Sequence, residues 1–522
     1  MLAGRIESDD AQLLTRQASF CCHHKTKGAE NQEMDKMEYL KTIDEVIARG
    51  RYKDDWTSLC NHRTPAWYMD AKVGVFIHWG VFSVPAFGNE WYSRHMYDPA
   101  HEEFRHHREI FGNQKDFGYK DFIPLFKGER FSAEEWVTMF KEAGIRYVMP
   151  VAEHHDGFAM YRTGMNRWNA AEMGPKRDVV GEIRDECLRQ ELVFCASTHR
   201  AEHYFFMNMG RTFPSDVQDE RYRDFYGPAV YRKEFHSDDV HKYTADTFTV
   251  GPTDEWMEDW LVRTCELIDN YRPSVLYFDW WVHNHAFKPY LRKLAAYYYD
   301  RAEEWGTEVT ITYKHEAFPP GSATFDVERG ALTGISPEYW QTDTAIGKNS
   351  WGYTTDNEYK NARQVICDLV DIVSKNGNLV INVGPRPDGT ITDQEKGVLR
   401  TLGEWLRRNG EGIYGTTYWR QFGEGEVNAV EGFFMDGDEK QFTSEDFRFT
   451  YKKGYLYVFQ MRPSRTAMVK TLRQKGIHDF LIEKVEMLGF GEVPYRRTSE
   501  ALEIDGTAAE GDLPVCYRVS IG

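Results

Sequence analysis

What this chain lacks narrows its class before any motif is read. Its eight cysteines are scattered, with Cys21-Cys22 the only close pair and no C-x-x-C spacing, so neither a zinc ribbon nor a disulfide scaffold is signalled. It has no apolar run of about 18 residues, the length needed to cross a bilayer. The opening segment has no apolar stretch of the kind a secretion signal requires. Residues 1 to about 33 therefore read as a polar leader, with Met34 or Met37 as an alternative start, and the expectation is a reduced, cytoplasmic protein. No G-x-G-x-x-G follows a strand-like run, which removes the commonest dinucleotide signature. Basic residues are also short, 64 against 82 acidic ones for a net charge of −18. That balance argues against nucleic acid or an anionic membrane as partner. There is no internal repeat and no low-complexity tract.

What is abundant is aromatic. Aromatic residues make up 15% of the chain, with 30 tyrosines and 15 tryptophans. They serve core packing first, and flat faces for stacking on sugar rings second. A length of 522 residues suits a large catalytic domain with a smaller companion. Apolar runs at 73–80, 145–152, 192–198, 274–280, 308–314 and 378–384 alternate with helical patterns, several opening on cap residues such as Ser132, Thr253 and Thr392 and the last ending on Gly410. Strands apolar on both faces, separated by helices, mean a covered parallel sheet. Six such units fit a (β/α)8-like TIM barrel, an α/β fold, with two units too degenerate to read; a doubly wound open sheet is the alternative. Beyond residue 416 short alternating strands replace the helices and predict a C-terminal antiparallel β-sandwich. The expected division is a leader over 1–50, partly disordered or helical, a barrel over 51–415 and a sandwich over 416–522.

The stretch RPSVLYFDWWVHNH, residues 272 to 285, singles out Asp279, a carboxylate at the end of an oily strand, where an unused charge is costly. In parallel barrels the reacting groups sit where strands end at the C-terminal mouth. Those positions hold His78, followed by Glu90 and Trp91; Glu153, His154, His155 and Asp156; Ser197 to His199, followed by Arg200, Glu202 and His203; Asp279; and Lys314 to Glu316, followed by Asp326, Glu328 and Arg329. Each has a plainer explanation. His78 suits a satisfied core histidine, Asp156-Gly157 a turn, Glu328-Arg329 a surface ion pair, Asp279 a loop cap and the run after His199 a solvated helix start. Adjacent residues face opposite ways on a regular strand, so His154 and His155 do not share a metal unless the strand end bends. Helix-face charges such as Glu134, Glu135 and Asp259 read as solvent-exposed.

Two carboxyls, several neutral histidines and aromatic walls at one rim suit glycoside hydrolysis, with one carboxylate as nucleophile and one acid protonating the leaving oxygen. At these residues the chain resembles glycoside hydrolase family 29, the α-L-fucosidases, through GVFIHWGVFSVPAFGNEWYSRHMY (74–97), AGIRYVMPVAEHHDGFAMY (143–161), GPKRDVVGE (174–182), VLYFDWW (275–281), NSWGY (349–353) and NLVINVGPRPDGTI (378–391). The resemblance implies a barrel with a C-terminal sandwich and retaining exo-hydrolysis of fucosylated oligosaccharides, without metal or cofactor. It implies Asp279 as nucleophile and Glu328 as acid/base, with Glu90 the second candidate for the acid. His78, Glu90, Trp91, His154 and His155 match residues around the sugar, and Tyr277 stands where many members have tryptophan.

Two segments depart from the family pattern: Ser197-Thr198-His199 replaces Tyr-Tyr-Ser, and Tyr313-Lys314-His315 replaces an Asn-Asp-Arg run. His199 and Lys314 are thus expected substrate contacts that point to fucose or a related L-sugar such as L-galactose. The rivals are a metal-dependent barrel hydrolase using His78, His154, His155 and Asp279, and a non-catalytic sugar-binding relative. Homo-oligomerisation is left open.

Overall fold

The computed structural model describes residues 36–232, 235, 250–437 and 439–522. The expected polar leader over residues 1 to 33 lies outside them. Eight parallel strands form a closed barrel: β1 (Val73–Ile77), β2 (Tyr147–Glu153), β3 (Val193–Phe194 and Ala196–Thr198), β4 (Val275–Phe278), β5 (Thr310–Tyr313), β6 (Thr324–Asp326), β7 (Trp340–Ala345) and β8 (Gly377–Val383). Neighbours pair in chain order, and β1 closes the ring between β8 and β2. All parallel pairs, helices outside and strands buried on both faces are the pattern the apolar runs anticipate.

The two units that sequence patterning left out are β6 and β7. β6 is only three residues long. β7 reads WQTDTA, yet all six residues are buried. Several of its polar side chains find buried partners on other elements: Gln341 donates to Asp326 (2.6 Å) and accepts from Tyr68, while Asp343 accepts from Tyr277 (2.5 Å). Hydropathy mistakes such a strand for surface, because buried polar groups with partners cost little.

Helices α1 (Lys36–Arg49), α2 (Ala133–Glu142), α3 (Val179–Arg189), α4 (Asp254–Tyr271), α5 (Lys288–Trp305), α6 (Ala362–Ser374) and α7 (Asp393–Asn409) are among those that surround the barrel. Ser132, Thr253 and Thr392 cap α2, α4 and α7 through side-chain oxygens, and Glu395 completes a capping box at α7. Gly410 does not end α7 in a left-handed turn; its φ is −62° and the chain tightens into a 3-10 turn over Gly410–Gly412. No helix separates β5 from β6 or β6 from β7. The helix-face residue Asp259 is not solvated as expected: it is half-buried and pairs with Arg200 (2.8 Å) and Arg263 (2.9 Å), and Arg200 also holds Glu153 (2.5 Å) at the end of β2.

Beyond the barrel, β9 (Thr417–Glu424), β10 (Phe447–Lys452), β11 (Tyr455–Gln460), β12 (Thr466–Val469), β13 (Ile482–Met487), β14 (Gly491–Glu492), β15 (Tyr495–Arg497), β16 (Leu502–Asp505) and β17 (Val515–Ile521) make two antiparallel sheets. Their orders are β9-β10-β11-β17-β13-β14 and β12-β16-β15, and Phe449, Val458, Val469, Val485, Ile504 and Val519 fill the core between them. The outer face of the larger sheet packs on α6 and α7, where Phe459 meets Trp405. There Asp371 of α6 is buried against Arg448 of β10 (2.5 Å) and Lys375 (2.8 Å). Burial alone would raise the Asp371 pKa; Arg448 and Lys375 outweigh it and hold it low. The stabilisation is therefore present above the unfolded carboxylate pKa and fades as pH falls towards the folded one. Asp371→Ala strands two cations in the interior and should cost ~3–5 kcal/mol. Loss of the exposed Lys470–Glu445 pair (2.9 Å) should leave the midpoint nearly unchanged. Denaturation midpoints compare the two; equal, small effects would show that the Asp371 pair does not hold the modules together.

Candidate active site

The C-terminal ends of the strands open into a cavity of about 250 Å³. That is below the ~300–1,000 Å³ of pockets for drug-sized ligands and suits one small ring. His78, Glu90, Trp91, His154, His155, His199, Tyr277, Asp279 and Glu328 all line it. Of the residues singled out for a role, only Lys314 does not: it is fully buried behind the wall. The expected sugar contact at Lys314 is thus set back from the cavity surface.

β4 is buried along its whole length and delivers Asp279 to the mouth. Directly after it, Trp281 takes a left-handed backbone (φ 73°), which sends Trp280 to the cavity and Trp281 into the core against Phe205 and Phe287. Asp279 Oδ2 lies 2.9 Å from His199 Nδ1 and 3.2 Å from His155 Nε2, and its Oδ1 lies 4.0 Å from Lys314 Nζ. Burial would raise the Asp279 pKa, but His199, His155 and Lys314 together hold it well below the ordinary value.

Glu328 sits across Lys314 from Asp279. The ammonium is 2.9 Å from its Oε2, and the Trp280 indole N–H donates to the same oxygen. The two ammonium distances, 4.0 and 2.9 Å, limit the separation of these oxygens to at most their sum. That limit admits the ~5–5.5 Å of retaining pairs. Burial first, then the Asp279 and Asp343 carboxylates, push the Glu328 pKa up to about 8 despite Lys314. The two carboxyls therefore have opposed acidities, one ionised and one protonated at neutral pH. Lys314 also holds Asp326 (3.0 Å) and Asp343 (3.6 Å). Glu90 is placed differently: its Oε2 accepts from Ser350 Oγ (2.8 Å) and the Trp351 N–H (2.9 Å), on the opposite loop.

The histidines divide by partner. His78 Nδ1 is 2.6 Å from Asn382 Oδ1, and burial drives its pKa well below the ordinary value. His154 is also driven well below by burial, with the neighbouring histidines adding to it, and its Nδ1 has no hydrogen-bond partner among the described residues. Both are thus neutral and suited to sugar hydroxyls. His155 and His199 line the cavity, yet their nitrogens turn to Asp279 and to protein oxygens: His155 Nδ1 to the His199 carbonyl (3.0 Å), His199 Nε2 to Ser197 Oγ (2.5 Å). β2 ends at Glu153, so His154 and His155 follow a bent chain and both face the cavity, against the alternation expected on a strand. By distance alone His78, His154 and His199, or His155, His199 and Asp279, match a metal-ligand set.

Of the plainer explanations, the turn at Asp156 holds and two others do not. Asp156 makes a turn through the Phe158 N–H and accepts from Tyr119. Arg329 pairs with Asp436 (3.1 Å), not Glu328. The run Arg200–Tyr204 is a buried 3-10 turn, not a solvated helix start. Sequence reasoning gave no role to Phe76, Asn89, His95, Asp343, Trp351 and Phe434, which also line the cavity. Trp351 lies in the NSWGY run and was within reach; Asp343 was hidden by the polar look of β7, and Phe434 comes from the sandwich side of the chain.

Opposed carboxyls at the mouth of a parallel barrel, around a space for one sugar, define a glycoside hydrolase. A family model described as alpha-L-fucosidase matches residues 40–411. The human plasma alpha-L-fucosidase is 32% identical over 386 residues, spanning 71% of this chain and 73% of the relative. The human tissue alpha-L-fucosidase is 30% identical over 390 residues, 73% and 75% of the two chains. The crystal structure of the Thermotoga maritima alpha-fucosidase superposes with a TM-score of 0.70 at 27% identity, covering 90% of this chain and 100% of that one. The chain belongs to the α-L-fucosidase family, whose hydrolases retain anomeric configuration.

Lys314 faces both carboxyls from behind the cavity wall, so removing its charge should raise both acidities' midpoints. For Lys314→Met, the acidic limb of the pH–rate profile on a nitrophenyl α-L-fucoside should move to higher pH, with a loss of at least about tenfold at neutral pH. An unmoved acidic limb would show that Lys314 has no electrostatic role at Asp279.

Proposed function

We propose that this enzyme releases terminal α-L-fucosyl residues, or those of a closely related L-sugar, from short oligosaccharides, with Asp279 as nucleophile and Glu328 as acid/base. The observation that carries the assignment is the shared ammonium of Lys314, which sits between one carboxyl of lowered and one of raised acidity constant. Asp279 attacks the anomeric carbon. The bond to the leaving oxygen breaks with its electron pair going to that oxygen, which takes the proton of Glu328. The product is a glycosyl ester of Asp279.

Forming the ester removes the negative charge of Asp279, one of the influences that raise the Glu328 pKa. With its pKa lowered, Glu328 stays ionised after giving up its proton and is available as the base that takes a proton from water. Water then attacks the anomeric carbon, the ester bond breaks and both carboxyls return to their starting states. His78 and His154, neutral and facing the cavity, serve the sugar hydroxyls; Trp91 and Trp351 supply its walls. The small cavity supports exo action on a single terminal residue. Cytoplasmic location is part of this reading, supported by the described cysteines, all unpaired and all but Cys60 buried.

Asp279→Asn should lower turnover of a nitrophenyl α-L-fucoside by several orders of magnitude with the fold intact. The wild-type profile should be bell-shaped: activity falls at low pH as Asp279 gains a proton and falls above about pH 8 as Glu328 loses one. Glu328→Gln should abolish the alkaline limb. Near-normal turnover in Asp279→Asn, or an alkaline limb unchanged in Glu328→Gln, would remove the respective role.

A further inference from the structure

The segment joining β9 to β10 leaves the sandwich and reaches the mouth of the barrel. It runs antiparallel to the loop that carries Glu328. The Phe434 N–H donates to the Glu328 carbonyl (3.0 Å), the Met435 N–H to Arg329 (2.8 Å) and the Gly432 N–H to Ala331 (3.2 Å). Asp436 locks its end through Arg329, Lys360 and Thr344. Phe433 packs inward on His315 and Phe325. Phe434 instead lines the cavity and keeps 40% of its surface exposed. Its ring lies nearly parallel to Trp280, centroids 6.0 Å apart and planes 16° apart. Its backbone is left-handed (φ 57°), an arrangement a bulky aromatic adopts only when surrounding contacts impose it, and one that collects at functional sites.

The acid lies on the side of the cleaved bond where the leaving group departs, because it must reach the leaving oxygen. Phe434 is tied to the acid's own backbone, so it flanks that same side. We propose that Phe434, backed by Trp280, is the platform for the first sugar of the leaving group, a specificity-determining contact that the sandwich module adds to the barrel. The class of substrate it selects is an oligosaccharide whose unit next to the cleaved residue presents an apolar C–H face, in preference to small or purely polar aglycones. The inference rests on Glu328 as the acid.

Full-length wild type, Phe434→Ala, Phe434→Trp and Glu328→Ala are compared on a fucosyl-hexose disaccharide and on α-L-fucosyl fluoride, whose leaving group is too small to reach residue 434 and needs no proton. Phe434→Ala should lower kcat/KM on the disaccharide by about fivefold to tenfold, the loss of one aromatic contact, and leave the fluoride within about twofold. Phe434→Trp should restore the disaccharide. Equal losses on both substrates, or no loss on the disaccharide, overturn the platform. Glu328→Ala reads the underlying assignment separately: it should lose the disaccharide far more than the fluoride. If it loses both equally, the acid assignment fails, and with it the argument for the side on which Phe434 stands.

Discussion

One buried ammonium governs this pocket. Lys314, with none of its surface exposed, faces the carboxyls of Asp279, Asp326, Glu328 and Asp343. A single cation does not neutralise four anions in a medium of low dielectric, so some of the four must keep their protons. Which ones do so follows from the remaining neighbours. Asp279 has two histidines beside Lys314 and stays low. Asp326 and Glu328 lack such partners and rise to about 7 and about 8, burial leading in both. The opposed acidities that glycoside cleavage requires are thus a property of the whole charge cluster. They do not come from a special environment at either carboxyl alone.

The same cluster explains what sequence could and could not reveal. The apolar run ending at Asp279 was legible because a buried parallel strand has a simple signature and a charge at its end breaks it. His78, His154, His155 and Glu328 were legible through the resemblance and through their places after strands. β7 was not, since its buried face meets other polar groups: Gln341 touches Asp326 and Tyr68, Asp343 touches Tyr277. The alternation rule also stops at the last paired residue of a strand, which is why His154 and His155 share a cavity. Asp259 looked like a solvated helix charge, but Arg200, from a distant loop, claims it. For β7 and Asp259 the deciding partner is remote in sequence, and local patterns carry no trace of it.

The neutral histidines complete the electrostatic picture. Burying an imidazolium at His78 or His154 carries a desolvation cost that the attraction of Asp279 does not offset. Burial lowers both instead, leaving each ring with a donor and an acceptor. A ring of hydroxyl groups needs that mixed character more than it needs charge. His155 and His199, closest to Asp279, each turn one nitrogen to its carboxylate and the other to a protein oxygen, so the proposed nucleophile is aimed before the sugar arrives.

The position of Glu328, the acid in the proposed mechanism, then raises a mechanical question. Glu328 stands on the connection after β6, in the part of the barrel where two successive strands have no following helix to brace their loops. An acid that must meet the leaving oxygen within a fraction of an ångström cannot rest on an unsupported loop. The bracing comes from elsewhere in the chain: the 432–436 segment hydrogen-bonds along residues 328–331, and Asp436 pins Arg329 next to the acid. The left-handed backbones at Arg329 and Phe434 (φ 45° and 57°) mark the strain this splint imposes. Asp371 and Arg448 anchor the module that carries the splint. The C-terminal module therefore braces the connection after β6, in the stretch where the fifth and sixth strands have no following helix, and takes there the part that helices play after the other strands.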